Sequence, residues 1–140
     1  MITVNIKRLK ENATLPTYSH PGDAGMDLYS AQDVTLQPGE TAKVGTGIAT
    51  AIPSGFVGLV WDRSSMGSKG IKRMGGVIDA GYRGEILVAL LNTTTAPYEI
   101  KTGDKIAQML IQSVESATLV EVSDLDDTSR GEGGFGSTGR

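Results

Sequence analysis

Short apolar stretches alternate with turn-forming residues along this sequence, and a helical period is almost absent. In ITVNIK, Ile2, Val4 and Ile6 occupy every second position, which is the repeat of a strand with one buried face. Further β-rich stretches follow at intervals of roughly 8–12 residues, separated by turns such as Pro38-Gly39. These predicted strands cover 34–36, 42–44, 47–52, 55–61, 86–91, 98–100, 106–112 and 118–122, with one helical turn at 64–68. The spacing predicts an all-β fold, either a β-sandwich, a jelly roll or a barrel.

The length of 140 residues fits one functional domain. We expect it to consist of a β-barrel over 1–122 and a tail over 123–140. The tail begins with the acidic connector SDLDDT and ends in RGEGGFGSTGR. Glycine loses much backbone entropy on ordering and contributes no side chain, so this ending cannot build a packed core. Phe135 is its only apolar residue.

Charge and composition exclude several classes of protein. The formal net charge of −3 argues against nucleic acid or an anionic membrane as the main partner. The chain has no cysteine, so it has neither disulfides nor thiolate metal sites. Its longest apolar run, ILVALL at 86–91, is far too short to cross a membrane, and the first residues carry no apolar leader. We therefore expect a soluble, cytoplasmic protein.

The ILVALL run does not alternate, unlike a strand that faces water on one side. This indicates that both faces of the strand are covered. In so small a chain, the second cover could come from another subunit.

Five stretches combine glycine with polar residues in the manner of a binding site. They are AGMDLYS (24–30), DRSSMGSKG (62–70), GGVIDAGYRG (75–84), GDKIAQML (103–110) and RGEGGFGSTG (130–139). In this order, they resemble the five sequence motifs of the trimeric deoxyuridine triphosphatases, the dUTPases. Any one of them alone is weak, but the five together span about 115 residues, nearly the whole of a one-domain chain.

The resemblance implies a jelly-roll homotrimer that hydrolyses dUTP to dUMP and pyrophosphate with Mg²⁺. Such an enzyme keeps dUTP low and supplies dUMP for thymidylate synthesis. Its active sites lie between subunits, and the glycine-rich tail of one subunit closes over a site built by the others. The tail is therefore expected to be a flap, mobile when the site is empty.

The third stretch supplies the expected catalytic residue. Asp79 is a carboxylate at neutral pH and can accept a proton from water, and by resemblance that water attacks the α-phosphorus. Tyr82 offers a flat ring that can lie under a deoxyribose and leave no space for a 2′-hydroxyl. The expected substrate-binding residues here also include Gly76, Val77, Ile78 and Leu87.

The backbone of the glycine-rich hairpin is expected to pair with the edge of uracil, because a wrong base would leave its groups unpaired. This chain departs from the family here. The interval from Arg63 to Asp79 is slightly short, and Lys72-Arg73-Met74 stands where several relatives place an asparagine.

The expected phosphate-binding residues are Arg63, Ser64, Ser65 and Gln108. Arginine offers a planar fork of donors, and the serines add hydroxyl groups. Lys105 stands where the family commonly has arginine. By resemblance, Asp27 acts near the metal and the phosphate-binding arginine through water. Mg²⁺ keeps several waters and is held largely by substrate phosphates, so no preformed metal site is expected.

In the tail, Arg130 can reach the γ-phosphate and Phe135 can stack on the uracil face. Gly136 and its neighbours can wrap phosphates with backbone N–H groups. The ordering cost of such a segment would be met only when nucleotide is bound.

Two other functions remain open. Deoxycytidine triphosphate deaminases resemble the chain at Arg63-Ser64-Ser65 and at 78–82, but deamination needs a glutamate on the following strand. The only nearby acid, Glu85, stands at the start of that strand. The other alternative is a non-catalytic jelly-roll oligomer that only binds nucleotide.

Overall fold

The structure is a computed structural model that describes residues 1–139, and it confirms the all-β prediction. One short helix, α1, spans Ser64–Gly67, where the helical turn was predicted. The strands are β1 (Asn5–Arg8), β2 (Met26–Tyr29), β3 (Val34–Leu36), β4 (Thr41–Gly45), β5 (Ile48–Ala51), β6 (Phe56–Trp61), β7 (Ile71–Met74), β8 (Val77–Ile78), β9 (Leu87–Asn92), β10 (Tyr98–Ile100) and β11 (Lys105–Ser113).

All strand pairs between these elements are antiparallel. One sheet has the order β2-β11-β6-β8, another has the order β4-β9-β7, and β1-β5 and β10-β3 form two-stranded ribbons. Side chains from the two larger sheets meet in one core, for example Leu28 and Met109 from the first and Val88 and Leu90 from the second. The result is a sandwich whose outer faces are free to carry functional side chains.

Strands β2, β7 and β8 are not among the predicted strands, although β8 belongs to the expected glycine-rich hairpin. β2 is buried over Met26, Asp27 and Leu28, so it lacks the alternation that would reveal it. β7 reads Ile-Lys-Arg-Met, which looks like a charged loop until its pairing with β9 is known.

The predicted strand at 118–122 is wrong for the single chain. Among the described residues, no strand follows Ser113. Leu119 is 92% exposed and Val120 75% exposed, and neither has a partner strand in residues 1–139. β-structure requires a neighbouring backbone, and this segment leaves the sheet instead.

The ILVALL strand, β9, is covered on one face only within this chain. Val88, Leu90 and Asn92 are buried, whereas Leu87 on the opposite face is 44% exposed. Asn92 is satisfied by donating to the carbonyl oxygens of Leu36 (2.9 Å) and Ala96 (2.8 Å). The open face of β9 therefore remains available for another surface.

No helix within residues 1–139 has the length and apolar character needed to span a bilayer.

Candidate active site

The register of three neighbouring strands places the first group of predicted residues together. Gln108 of β11 lies opposite Asp27 of β2 on one side and Trp61 of β6 on the other. Residues opposite each other in a ladder project from the same face of the sheet, so these three side chains are lateral neighbours. Arg63 follows Trp61 by two residues and lies over the same face.

A bulge in β11 brings Lys105 into this group. Lys105 and Gln108 are three residues apart, so regular alternation would put them on opposite faces. The register shifts between Lys105 and Ala107, and the extra residue restores Lys105 to the face that carries Asp27. The Lys105 Nζ atom then lies 2.6 Å from Asp27 Oδ2.

Asp27 is held by two cations at once. Arg63 Nε donates to its Oδ1 at 3.0 Å, while Lys105 and the Ser19 hydroxyl (2.9 Å) engage Oδ2. Burial by itself would raise the pKa of Asp27, but hydrogen bonds from Lys105 and Ser19 and the nearby Arg63 and Lys105 charges outweigh it. The pKa of Asp27 therefore lies below its ordinary value. The carboxylate stays charged and fixes the direction of the Arg63 fork.

Asp27→Asn is expected to lower the free energy of unfolding at neutral pH by about 1–3 kcal/mol, because Arg63 and Lys105 lose their shared counter-charge. The pKa of Asp27 is lowered in the folded state, so this stabilisation is present above the ordinary aspartate pKa. It is lost as the pH falls through the lowered value. Urea unfolding of both proteins at neutral and acid pH measures this difference, which should shrink in acid. A difference that persists undiminished in acid would contradict the ion-pair account.

The phosphate-binding candidates line one cavity of about 450 Å³. Ser64 and Ser65 open helix α1 at its rim, and the Arg63 Nη1 atom lies 3.5 Å from Ser65 Oγ. Gln108 donates through Nε2 to the carbonyl oxygen of Asp62 at 2.9 Å, which leaves its second N–H for a ligand. A Cβ at Gly25 would lie 2.5 Å from Gln108 Oε1, so a larger residue there would displace the Gln108 side chain. This cavity can receive a polyanion.

A second group of candidates lies on β8, at the edge of the other end of the sheet. Val60 N–H donates to the Gly76 carbonyl at 2.8 Å, and Gly58 lies opposite Ile78. Antiparallel pairs alternate in the direction of their backbone groups, so the N–H and C=O of Val77 point away from β6. They form a donor and an acceptor at fixed spacing on a free edge.

Gly76 makes this arrangement possible. Its φ of +118° is a conformation that side chains rarely adopt. A Cβ at this position would also lie 2.7 Å from the Val60 carbonyl oxygen. Glycine is thus required where the backbone approaches β6 most closely.

Asp79 follows β8 and is exposed. Its carbonyl accepts the Tyr82 N–H at 3.0 Å, which closes a tight turn. The Tyr82 hydroxyl donates to the Glu85 carbonyl at 2.9 Å, and its ring is 41% exposed. Leu87 begins β9 just beyond this turn. The turn therefore fixes the backbone of Asp79 and leaves its carboxylate exposed, while the Tyr82 ring is held at its hydroxyl and exposes its face.

The structure separates Asp79 from the phosphate cavity of the same chain. Gly58 lies opposite Ile78, so Asp79 continues past β6 in the direction away from Arg63. Val57, the position opposite Asp79, and Trp61 at the other end of β6 are four residues apart, or about 13 Å at roughly 3.3 Å per residue, and Arg63 lies two residues beyond that end. The Asp79 and Arg63 side chains cannot span that gap. Asp79 lines a different cavity, together with Phe56, Val57 and Val114.

The tail lies apart from both groups. Arg130 Nε donates to the Gly133 carbonyl at 2.9 Å, and Phe135 is fully exposed with a φ of +50°. Among residues 130–139, the hydrogen bonds connect only positions within the tail or to Thr128. Gly136, also predicted to bind substrate, is a turn glycine with a φ of +86°. The last residue of the predicted flap, Arg140, lies outside the described residues.

The carboxylates of the phosphate cavity suit a metal ion that binds together with a phosphate ligand. Within residues 1–139, no three His, Cys, Asp or Glu side chains form a metal-binding cluster. Asp23 and Asp27 line the phosphate cavity, and both oxygens of Asp27 already have partners. Such a site suits Mg²⁺ bound mainly by phosphate and water, with Asp27 in an outer position.

Glu85 is engaged in the fold and unavailable for deamination chemistry. Its Oε1 atom accepts the Gly47 N–H at 2.8 Å and lies 3.5 Å from Lys10 Nζ. It thereby supports the turn at 46–47.

Two partners of Asp27, Lys105 and Ser19, were absent from the predicted site residues. Lys105 was noted only as a departure from arginine, because the bulge that orients it is invisible in the sequence. Ser19 stands in a polar loop with no distinguishing pattern, yet it donates to Asp27.

Comparisons with known proteins identify the family. The dUTPase family profile matches residues 11–139. A deoxyuridine 5′-triphosphate nucleotidohydrolase of Thermobifida fusca (strain YX) is 51% identical over 142 residues, covering 99% of this chain and 79% of the relative. The protein of that name from Mycobacterium tuberculosis (strain ATCC 25177 / H37Ra) is 52% identical over 146 residues, covering 98% and 95%.

Solved structures agree. A variant of the Staphylococcus bacteriophage 80alpha dUTPase with dUpNHpp has a TM-score of 0.95 and 32% identity, with 100% of both chains covered. A variant of the dUTPase from phage phi11 of S. aureus, solved to describe the coordination of a structural Mg(II) ion, has a TM-score of 0.85 and 32% identity. That comparison covers 90% of this chain and 100% of the phage protein. These likenesses confirm the predicted jelly-roll fold, and with the sequence matches they place the chain in the dUTPase family.

Proposed function

We propose that the protein is a dUTP diphosphatase that hydrolyses dUTP to dUMP and pyrophosphate at sites assembled from more than one copy of the chain. The observation that carries this proposal is that Asp79 and Arg63 lie near opposite ends of β6 and line separate cavities. A base must lie within about one water of the phosphorus that it serves. A single chain therefore carries both the phosphate-binding residues and the base, but it cannot place Arg63 and Asp79 at the same phosphate.

In the proposed complex, Arg63, Ser64 and Gln108 of one copy bind the phosphate chain. Arg63 is directed by its bond to Asp27, so its remaining N–H groups face the cavity. Ser65 adds a hydroxyl beside them. Asp27 takes up only part of the N–H donors of Arg63 and Lys105, so charged donors remain for a polyanion, with Asp23 as a second carboxylate on the cavity wall.

A second copy supplies the base and sugar contacts. The Val77 carbonyl accepts the N3–H of uracil and the Val77 N–H donates to a ring carbonyl, with Gly76 and Ile78 holding the strand. Cytosine presents a lone pair at N3, so it would leave the Val77 carbonyl unpaired. The exposed ring of Tyr82 lies against the deoxyribose, and Leu87 borders the same surface.

The chemical step is an in-line attack on the α-phosphorus. Asp79 accepts a proton from water as the water oxygen bonds to that phosphorus. The bond from the α-phosphorus to the bridging oxygen breaks, and pyrophosphate leaves with that oxygen. Mg²⁺, when bound with the substrate, neutralises charge on the phosphates. Asp27 would hold it indirectly, through water.

The exposed apolar surfaces support assembly into the homotrimer that the resemblance implies. Leu87 on the open face of β9 is 44% exposed. Leu119, Val120 and Val122 are 92%, 75% and 56% exposed and form a row without cover in residues 1–139. Apolar surface of this extent is typical of a contact between subunits.

The tail completes the site as a flap. Arg130 would pair with the terminal phosphate, Phe135 would stack on uracil, and the glycine N–H groups around Gly136 would approach the phosphates. Ordering such a segment costs entropy that only a bound nucleotide offsets. Closure excludes water other than the nucleophile.

Phe135→Ala is expected to weaken binding of a non-hydrolysable dUTP analogue by about 5- to 100-fold, because stacking on a base contributes roughly 1–3 kcal/mol. Binding of pyrophosphate, which has no base, should change far less. Titration calorimetry with both ligands measures the difference. Equal losses for the two ligands would remove Phe135 from the base-binding role.

Release of pyrophosphate from dUTP, set against dTTP, dCTP and UTP with Mg²⁺, tests the proposed function. Rapid turnover of dUTP alone is expected. Ammonia released from dCTP would indicate a deaminase instead, and binding without turnover would indicate a non-catalytic oligomer.

A further inference from the structure

Trp61 and Arg73 form a stacked pair beside the turn that precedes β8. Trp61 ends β6 and is 49% exposed. The guanidinium carbon of Arg73 lies 5.1 Å from the centroid of its ring, within the range of a cation–π contact. Arg73 Nη1 donates to the Gly75 carbonyl, and the Arg73 N–H donates to Asp62 Oδ1 at 2.7 Å. The arginine is thereby tied to the end of β6 at its backbone and to the turn at its tip.

This turn has little else to hold it. Gly75 and Gly76 both have positive φ, at +70° and +118°. They are the only residues between β7 and β8, which belong to different sheets. Two consecutive glycines have wide conformational freedom, so the turn needs outside contacts to keep one shape.

We propose that Trp61 and Arg73 are positioning residues for base selection, which hold the 75–76 turn so that the backbone of Val77 meets uracil at fixed spacing. The inference rests on the proposed function. An arginine that stacks on a tryptophan here supports a turn made of two glycines.

The cavity beside the 75–76 turn shows how a rigid turn can select the base. A cavity of about 190 Å³ is bounded by Leu59, Trp61, Arg73, Gly76 and Val77. A rigid wall rejects a base whose edge or substituent does not fit, because the mismatch leaves backbone groups unpaired. Without this support, the turn would shift and make room for the methyl group of thymine. Loss of the stack should therefore weaken discrimination and leave the attack of water unchanged.

Arg73 is not explained as a residue that only stabilises the fold. Its Nε atom is buried without a hydrogen-bond partner in residues 1–139, which is an unfavourable feature of its position. Replacing Arg73 should therefore cost less stability than replacing an arginine whose donors are all paired.

The test compares Arg73→Ala and Trp61→Ala with Arg73→Lys and Trp61→Phe, which keep the charge and the aromatic ring. In both alanine variants, KM for dUTP should rise about tenfold with kcat little changed. The preference for dUTP over dTTP in kcat/KM should fall by about tenfold. The lysine and phenylalanine variants should recover part of both. Arg8→Ala, at an exposed arginine of β1, is the matched control and should behave as wild type.

Equilibrium binding of dUMP and dTMP to each variant measures the preference for uracil over thymine independently of turnover. A wild type that neither hydrolyses dUTP nor prefers dUMP overturns the proposed function and this inference with it. A selective wild type whose alanine variants keep the same dUTP-to-dTTP ratio overturns this inference alone. So does a loss of kcat at unchanged KM.

Discussion

Asp79→Asn lowers kcat for dUTP by at least about 100-fold, the loss expected when a general base is removed. The substitution changes almost no volume, and Asp79 is exposed beyond the end of β8, so the fold should be unaffected. Binding of a non-hydrolysable analogue should remain close to wild type, because the contacts to base and phosphate are made by other residues. Pyrophosphate release at saturating dUTP measures the effect.

The matched control for Asp79→Asn is Glu99→Gln, which neutralises an exposed acid on β10 outside every group of site residues. It should leave kcat unchanged. Near-normal turnover in Asp79→Asn would remove the carboxylate from its catalytic role. A fall in analogue binding equal to the fall in kcat would make Asp79 a binding residue instead.

Deletion of Arg130 to Arg140 is expected to lower kcat/KM for dUTP by at least about 100-fold. The deletion removes base stacking worth roughly 1–3 kcal/mol together with the Arg130–phosphate contact and the cover that excludes water. Stability should hardly change, because the hydrogen bonds of residues 130–139 reach no further than Thr128. Steady-state kinetics and thermal melting of the truncated protein measure the two effects.

The truncated chain should also keep the oligomeric state of the full chain in light scattering. Dissociation or a large fall in melting temperature would show that the tail is part of the assembled core. Activity close to that of the full chain would contradict closure by the tail.

Apolar, β-rich stretches bounded by turn residues were predictable as strands, and strands shaped by their neighbours were not. β6 and β11 are apolar stretches between turns and appear directly in the pattern. β2 is buried on both sides around Asp27, and Lys72 and Arg73 give β7 the composition of a charged loop, so neither stands out as a strand. The stretch at 118–122 is rich in β-forming residues, yet it has no backbone to pair with among residues 1–139. A local sequence can be compatible with a strand, but a strand forms only where another backbone lies beside it.

The site residues were predictable as a set, because five ordered stretches carry them. Which of these residues lie close together within one chain was not predictable. The separation of Asp79 from Arg63 follows from the register of β6 with β8, and the contact of Lys105 with Asp27 follows from a bulge. A shift of one residue would change either result, and nothing in the residue types fixes such a shift. The same holds for the Trp61–Arg73 stack.

A complementation experiment tests most directly the central claim that each site takes its phosphate-binding group and its Asp79 from different copies. Asp79→Asn and Arg63→Ala chains, each inactive alone, would be co-expressed with different tags and purified through both tags. In a cyclic trimer, every mixed assembly contains one site with Arg63 from one chain and Asp79 from the other, so about one third of the wild-type rate per trimer is expected. Mixed assemblies no more active than either parent would contradict a site shared between copies.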